Sequence, residues 1–275
     1  EKEKIKRGDH PLSFQFAMDT YLQNIENLVK RLVLRPSRAE QFLSLVKDKT
    51  YRCVLEENIE LSSKFQLPIC QDTGVITLVV GHDSLTKDEL WEIKTSFEKS
   101  FNEIARPSML SSAFFGQQPL GRNQICFLEE VRDKNGLGAI ISGAGTETHC
   151  FLKVYPGTAA WGTVVSELQD WCSKRASLAC PPVHFGVAIG GTATEAVKQS
   201  KLSFLFGNNF PKCYQVPYEE LAHALKTIRV DPLGKDGSWV GDVFLRVLPT
   251  HMSAVPVSMS FMCWPYRAEW IDLGT

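Results

Sequence analysis

Residues 67–80 read LPICQDTGVITLVV, and this stretch divides the chain. Val75 to Val80 is almost continuously β-branched or apolar, which predicts a core strand, and Asp72-Thr73-Gly74 predicts the turn that feeds it. Upstream, residues 11–34 and 37–64 carry helical periodicity, with Pro36, Ser37 and Glu40 spaced as a capping box. Residues 1–66 are therefore expected to be mainly helical and residues 67–275 to form the mixed part. A thiol, Cys70, and two polar side chains, Gln71 and Asp72, stand at the mouth of the strand. Such a cluster suits chemistry, although a buried cysteine beside an ordinary turn fits the same residues.

Downstream, the pattern alternates. A helix is expected over about 86–105, opened by a second capping box at Thr86 and Glu89. Strands are expected at 124–130, 138–142 and 150–154, a helix at 157–173, and a strand, glycine pair and helix in HFGVAIGGTATEAVKQSK, residues 184–201, capped by Thr192. A helix near 217–228 and strands near 243–249 and 256–262 complete the pattern. There is no internal repeat or low-complexity linker. The expectation is one α/β (mixed α+β) domain spanning 1–275, a helical N-terminal region followed by a mixed sheet with flanking helices.

Composition narrows the function. The 275 residues are 44% hydrophobic and 22% charged with a formal net charge of −1, and no basic run extends beyond EKEKIKR. This argues against nucleic acid or an anionic membrane as the main partner. No apolar stretch approaches a bilayer span, and no signal or transit segment opens the sequence, so a reducing, cytoplasmic setting is expected. The eight cysteines include no CxxC pair, so any that bind metal must be gathered by the fold.

Two glycine-rich stretches invite a nucleotide reading that neither sustains. SGAGTETH, residues 142–149, lacks the third glycine of a dinucleotide fingerprint, and AIGGTATE, residues 188–195, lacks a Walker lysine. Three cysteines, by contrast, sit at proline-stiffened corners. Cys70 follows Leu-Pro-Ile, Cys180 precedes Pro181-Pro182, and Cys263 precedes Trp264-Pro265. Iron–sulfur ligands favour such rigid places, and three thiolates on a cubane cluster leave one iron open as a Lewis acid. Cys53, Cys126, Cys172 and Cys213 are expected to serve packing, as is Cys150.

PICQDTG around Cys70, CPP with GVAIGGTATEAVKQSK after Cys180, and HMSAVPVSMSFMCW from His251 to Trp264 together resemble the α part of class I fumarases and L(+)-tartrate dehydratases, the iron–sulfur hydro-lyases. ARPS at 105–108 and GAGTE at 143–147 are also similar to motifs of that family. The resemblance implies a [4Fe-4S] cluster on Cys70, Cys180 and Cys263, and a small dicarboxylic acid such as fumarate or tartrate as substrate. It further implies that Gln71 and Arg106 bind that substrate, that Asp72 and His251 handle protons or orient it, and that the Gly143–Gly145 turn brings backbone N–H groups nearby. Chemically, Arg106 offers a permanently charged fork for a carboxylate, and a His/Asp pair suits proton transfer.

The chain departs from the family where Ser142 precedes Gly-Ala-Gly-Thr-Glu-Thr in place of a Lys and a Gly-Gly-Gly-Ser-Glu-Asn turn, and where residues 107–124 lack an Asn-Thr run. It contains no stretch like the β part, which in the family supplies further basic residues and a threonine used in proton transfer. The resemblance thus implies half an active site, completed by a β subunit or domain in a homo- or hetero-oligomer such as a dimer. A cluster-free relative acting as a binding protein is the alternative.

Overall fold

The computed structural model of the chain describes residues 11–83, 85–104, 114, 126–132, 134–210, 216–230 and 239–274, with side chains from residue 18 onward. Its elements form five layers. The first is a pair of helices, α1 (Pro11–Val33) and α4 (Lys87–Ile104). Met18, Tyr21, Ile25, Leu28 and Leu32 of α1 and Leu90, Ile93, Phe97 and Phe101 of α4 recur at helical spacing, and all are buried against the first sheet.

That sheet runs β2–β1–β3–β8, where β1 is Val75–Gly81, β2 Cys126–Val131, β3 Gly136–Ser142 and β8 Ala268–Asp272. β1 pairs parallel to β2 and antiparallel to β3. Ile76, Leu78 and Val80 face the helices, and Val79 and Ile140 face the other way, so both sheet faces are covered. This satisfies the core strand expected from the opening stretch.

The third layer is α7 (Ala193–Phe206), whose Leu202 and Phe204 pack with Val79 and Ile140. Its other side lies on the second sheet, β4–β7–β5–β6, formed by Phe151–Pro156, Ala254–Met262, Val183–Ile189 and Val240–Val247. Ser200 of α7 meets Ser260 of β7 at 2.7 Å there. The fifth layer is α6 (Trp161–Arg175) and α8 (Tyr218–Lys226), which bury Val164, Leu168, Leu221 and Leu225 on the far face of the second sheet. Among the described residues no helix is long and apolar enough to cross a membrane.

Caps explain several boundaries. Thr192 Oγ1 accepts the Glu195 N–H at 3.1 Å and opens α7. The Thr86–Glu89 box also forms, with the Thr86 N–H on Glu89 Oε2 at 2.7 Å. The expected helix over 37–64 does not form as one piece. It divides into α2 (Ala39–Phe42), a 3-10 turn at Leu43–Leu45 and α3 (Lys49–Phe65), the last capped by Asp48. Ser37 instead gives its hydroxyl to Glu269 of β8, and Glu40 pairs with Arg35. The break lets Leu43 and Val46 join Leu55, Ile59 and Trp264 in one apolar cluster. The helix expected from 157 begins at Trp161, the 142–149 turn contains the short α5 (Ala144–Glu147), and β8 has no counterpart in the sequence reading.

Candidate functional site

Cys70, Cys180 and Cys263 come from three separate segments that the fold joins where the two sheets meet. The approach to Cys70 is anchored by the Ile69 N–H on Val33 O at 2.8 Å and by Asn58 Nδ2 on Ile69 O at 2.9 Å. Cys180 follows the 3-10 turn after α6, and the next residue, Pro181, accepts the Tyr51 hydroxyl at 3.0 Å. Cys263 follows β7, and its carbonyl accepts the Tyr266 N–H at 2.9 Å. The Trp264 N–H reaches Cys180 O at 3.0 Å, which sets the second and third corners side by side.

The Cys180 and Cys263 thiols lie within electrostatic reach of Cys70. Burial pushes the Cys263 thiol up to about 12, with Arg267 opposing that rise and Cys70 and Cys180 adding to it. Burial also raises Cys180, as do the nearby Cys70 and Asp72. Tyr51, beside them, is raised by burial and then by Cys180 and Cys263. Like charges that repel in this way share one neighbourhood.

Among the described residues no three His, Cys, Asp or Glu side chains surround a point closely enough to hold a single metal ion. Thiolates on one tetrahedral ion would lie about 4 Å apart, given metal–sulfur distances of about 2.3 Å. Those on a cubane cluster stand farther apart, because each binds a different iron. Three thiols on rigid corners, with the Asp72 carboxylate beside Cys180 engaged by backbone N–H groups, are chemically suited to the larger unit.

Gln71 is exposed beside Cys70. Asp72 is a brace: Oδ1 accepts the Gly74 N–H at 3.0 Å, Oδ2 accepts the Ala144 N–H at 2.5 Å, and its carbonyl accepts Arg267 Nη1 at 2.8 Å. In the Gly143–Gly145 turn, expected to bring backbone N–H groups nearby, the Ala144 N–H is taken by Asp72. Gly143 permits this contact, since a Cβ there would stand 2.6 Å from Asp72 Oδ2. Gly145 lies within α5, where a Cβ would meet Leu178 O at 3.4 Å.

His251 stands apart. It is exposed before β7 and accepts the Ser253 N–H on Nδ1 at 3.1 Å, while Cys263 follows the last residue of that nine-residue strand. At about 3.3 Å per residue the strand separates them by about 30 Å, so His251 and Cys263 flank opposite ends of β7. Arg106 and Cys213 lie outside the described residues.

Cys172 is buried with Sγ 3.5 Å from Met259 Sδ, and Cys126 is buried in the first core, as expected of packing residues. Cys53 is exposed on α3, contrary to that expectation, because it faces away from Leu55 and Ile59. Arg267 and Tyr51 escaped the sequence reading altogether. Neither has a local signature, since each owes its position to a distant segment.

The sequence that builds this fold has a match among known families. The sequence profile of the family described as Fumarate hydratase (Fumerase) matches residues 29–272, and the chain belongs to that family. Individual relatives agree. The chain is 26% identical over 242 residues to a protein of Methanocaldococcus jannaschii provisionally named L(+)-tartrate dehydratase subunit alpha, covering 82% of this chain and 84% of the relative. It is 25% identical to the L(+)-tartrate dehydratase subunit alpha of Escherichia coli K12, covering 77% and 74%. Against the aerobic class I fumarate hydratase of Salmonella typhimurium it is 25% identical over 84% of its own length, yet it spans only 44% of that protein.

Proposed function

We propose that this chain is the α part of an iron–sulfur hydro-lyase that adds water reversibly to fumarate to give L-malate, or dehydrates a related hydroxy-dicarboxylate such as tartrate. The observation that carries the reading is the convergence of the segments bearing Cys70, Cys180 and Cys263, with Ile69 and Trp264 buried in one apolar cluster and the Trp264 N–H on Cys180 O at 3.0 Å. These residues would hold a [4Fe-4S] cluster, which when bound supplies an open, Lewis-acidic iron for a substrate carboxylate and hydroxyl.

The chain's own groups do the rest. Arg106 offers a planar fork to the second carboxylate, and Gln71, exposed beside Cys70, adds a neutral hydrogen bond. Asp72, with both carboxylate oxygens engaged by N–H groups, holds the pocket's loops in register. Removal of the carbon-bound proton falls to groups beyond this pocket, on a β subunit or domain.

The partner's docking surface is supported by exposed apolar side chains close in sequence to the thiols. Leu67, three residues before Cys70, is 56% exposed, and Leu178, two residues before Cys180, is 65% exposed. Covering them would also exclude water from the reacting centre. Anaerobic reconstitution with iron and sulfide, followed by fumarate hydration and tartrate dehydration assays with and without a β subunit, tests the reading. Uptake of the cluster and turnover only with the β subunit are expected, and a chain that binds neither iron nor sulfide would refute it.

A further inference from the structure

Arg267 is only 3% exposed, and its Nε and Nη2 groups are buried without a hydrogen-bond partner among the described residues. Its Nη1 is fixed on the Asp72 carbonyl at 2.8 Å, a contact that leaves the other two donors unsatisfied although the Asp72 carboxylate stands nearby. Burying charged N–H donors this way is costly unless an acceptor arrives. The surroundings show where one would arrive. A Cβ at Gly143 would lie 3.5 Å from Arg267 Nη2, so the free edge adjoins the Asp72–Gly143 contact, and its field reaches Cys263.

The backbone keeps this arrangement at a further cost. Tyr266, immediately before Arg267, has φ of 49°, a left-handed conformation that bulky residues avoid. It is held there by its hydroxyl on Phe204 O at 2.9 Å and by ring contacts with Phe42 and His184. Two unfavourable features side by side mark a group kept for what it faces.

We infer that Arg267 is a positioning residue that supplies the counter-charge of the cysteine pocket: with Nη1 anchored on Asp72, its free Nε and Nη2 donate to the sulfur atoms of the [4Fe-4S] cluster. The inference rests on the cluster reading of the proposed function. Hydrogen bonds and positive charge at the sulfurs stabilise the reduced cluster, so Arg267 raises its reduction potential and slows its oxidative loss.

The test uses the full chain, reconstituted anaerobically, as wild type, Arg267→Gln and Arg267→Lys. Iron and sulfide content, midpoint potential by EPR-monitored titration, and decay of visible absorbance in air are measured. Arg267→Gln is expected to show a more negative potential and a several-fold faster decay, with Arg267→Lys between it and wild type. A potential, EPR spectrum and decay unchanged in Arg267→Gln, with only its melting temperature lowered, would overturn the inference.

If Arg267→Gln does not fold, wild-type chain labelled with 15Nε-arginine decides. One slowly exchanging Nε–H resonance should shift on cluster loading, and the absence of any shift overturns the inference. Failure of the wild type to take up iron and sulfide sinks the cluster reading itself, and the inference with it, before any substitution is compared.

Discussion

The carboxylate of Asp72 accepts the amide N–H of Ala144 at 2.5 Å, joining the loop that carries Cys70 to the turn after β3. With its second bond to the Gly74 N–H, it makes one side chain responsible for the shape of two loops. Asp72→Ala should therefore destabilise the metal-free protein by about 3 kcal/mol, the scale for losing charge-assisted hydrogen bonds, and Asp72→Asn by less, because an amide oxygen retains one of them. Urea unfolding measures both. Unchanged stability with abolished turnover would return Asp72 to a direct chemical role.

Substitution of individual cysteines separates ligands from bystanders. Cys70→Ser, Cys180→Ser and Cys263→Ser should each lose most of the iron and sulfide taken up anaerobically. Cys53→Ser, on the exposed face of α3, and Cys150→Ser, whose Sγ lies 3.6 Å from Thr146 O, should load like wild type. Full loading in any of the first three would remove that cysteine from the pocket's ligand set.

Arg106→Lys keeps the charge but loses the fork. In the complex with a β subunit, KM for the dicarboxylate should rise about tenfold or more, from the loss of one charge-assisted hydrogen bond, while iron content stays constant. A wild-type KM would take Arg106 out of substrate binding.

His184 gives the fold an acid-sensitive element. Its ring is fully buried against Phe42 and Tyr266, Nδ1 accepts the Asp242 N–H at 3.0 Å, and burial, then Arg38, pushes its pKa down to about 3. The unfolded imidazole titrates near 6.5, so between these values only the unfolded chain binds the proton. Stability from this group is complete above about pH 6.5 and falls on acidification by about 1.4 kcal/mol per pH unit, or about 2 kcal/mol from pH 7 to 5. His184→Gln should flatten that difference in urea titrations at the two pH values. An equal slope in the variant would assign it to other groups.

What the sequence disclosed was whatever is encoded locally. The β-branched run at 75–80, the Thr86 and Thr192 caps and the three proline-bounded cysteines all carry their reason within a few residues. What it hid depends on remote partners. Ser37 has a good capping spacing, but its hydroxyl goes to Glu269, a choice no local window shows. Arg267 acquires meaning only beside Asp72. His251 was named through the family resemblance, and its place at the end of β7 away from Cys263 depends on the extended strand between them.

The pairing of β8 with β3 sets when this molecule can be finished. Leu137 stands opposite Ile271 and Gly136 opposite Asp272, so the first sheet lacks its fourth strand until residues 268–272 have been synthesised and brought back across about half of the chain. Such distant pairings form late, because the intervening loop must close before any contact compensates for it. Until then the β3 edge is open, and the turn carrying Cys263 has no fixed position against Cys70. On the proposed cluster reading, a nascent chain would be a poor acceptor of iron and sulfide, and loading would follow translation of β8, on a protein whose last strand has already docked.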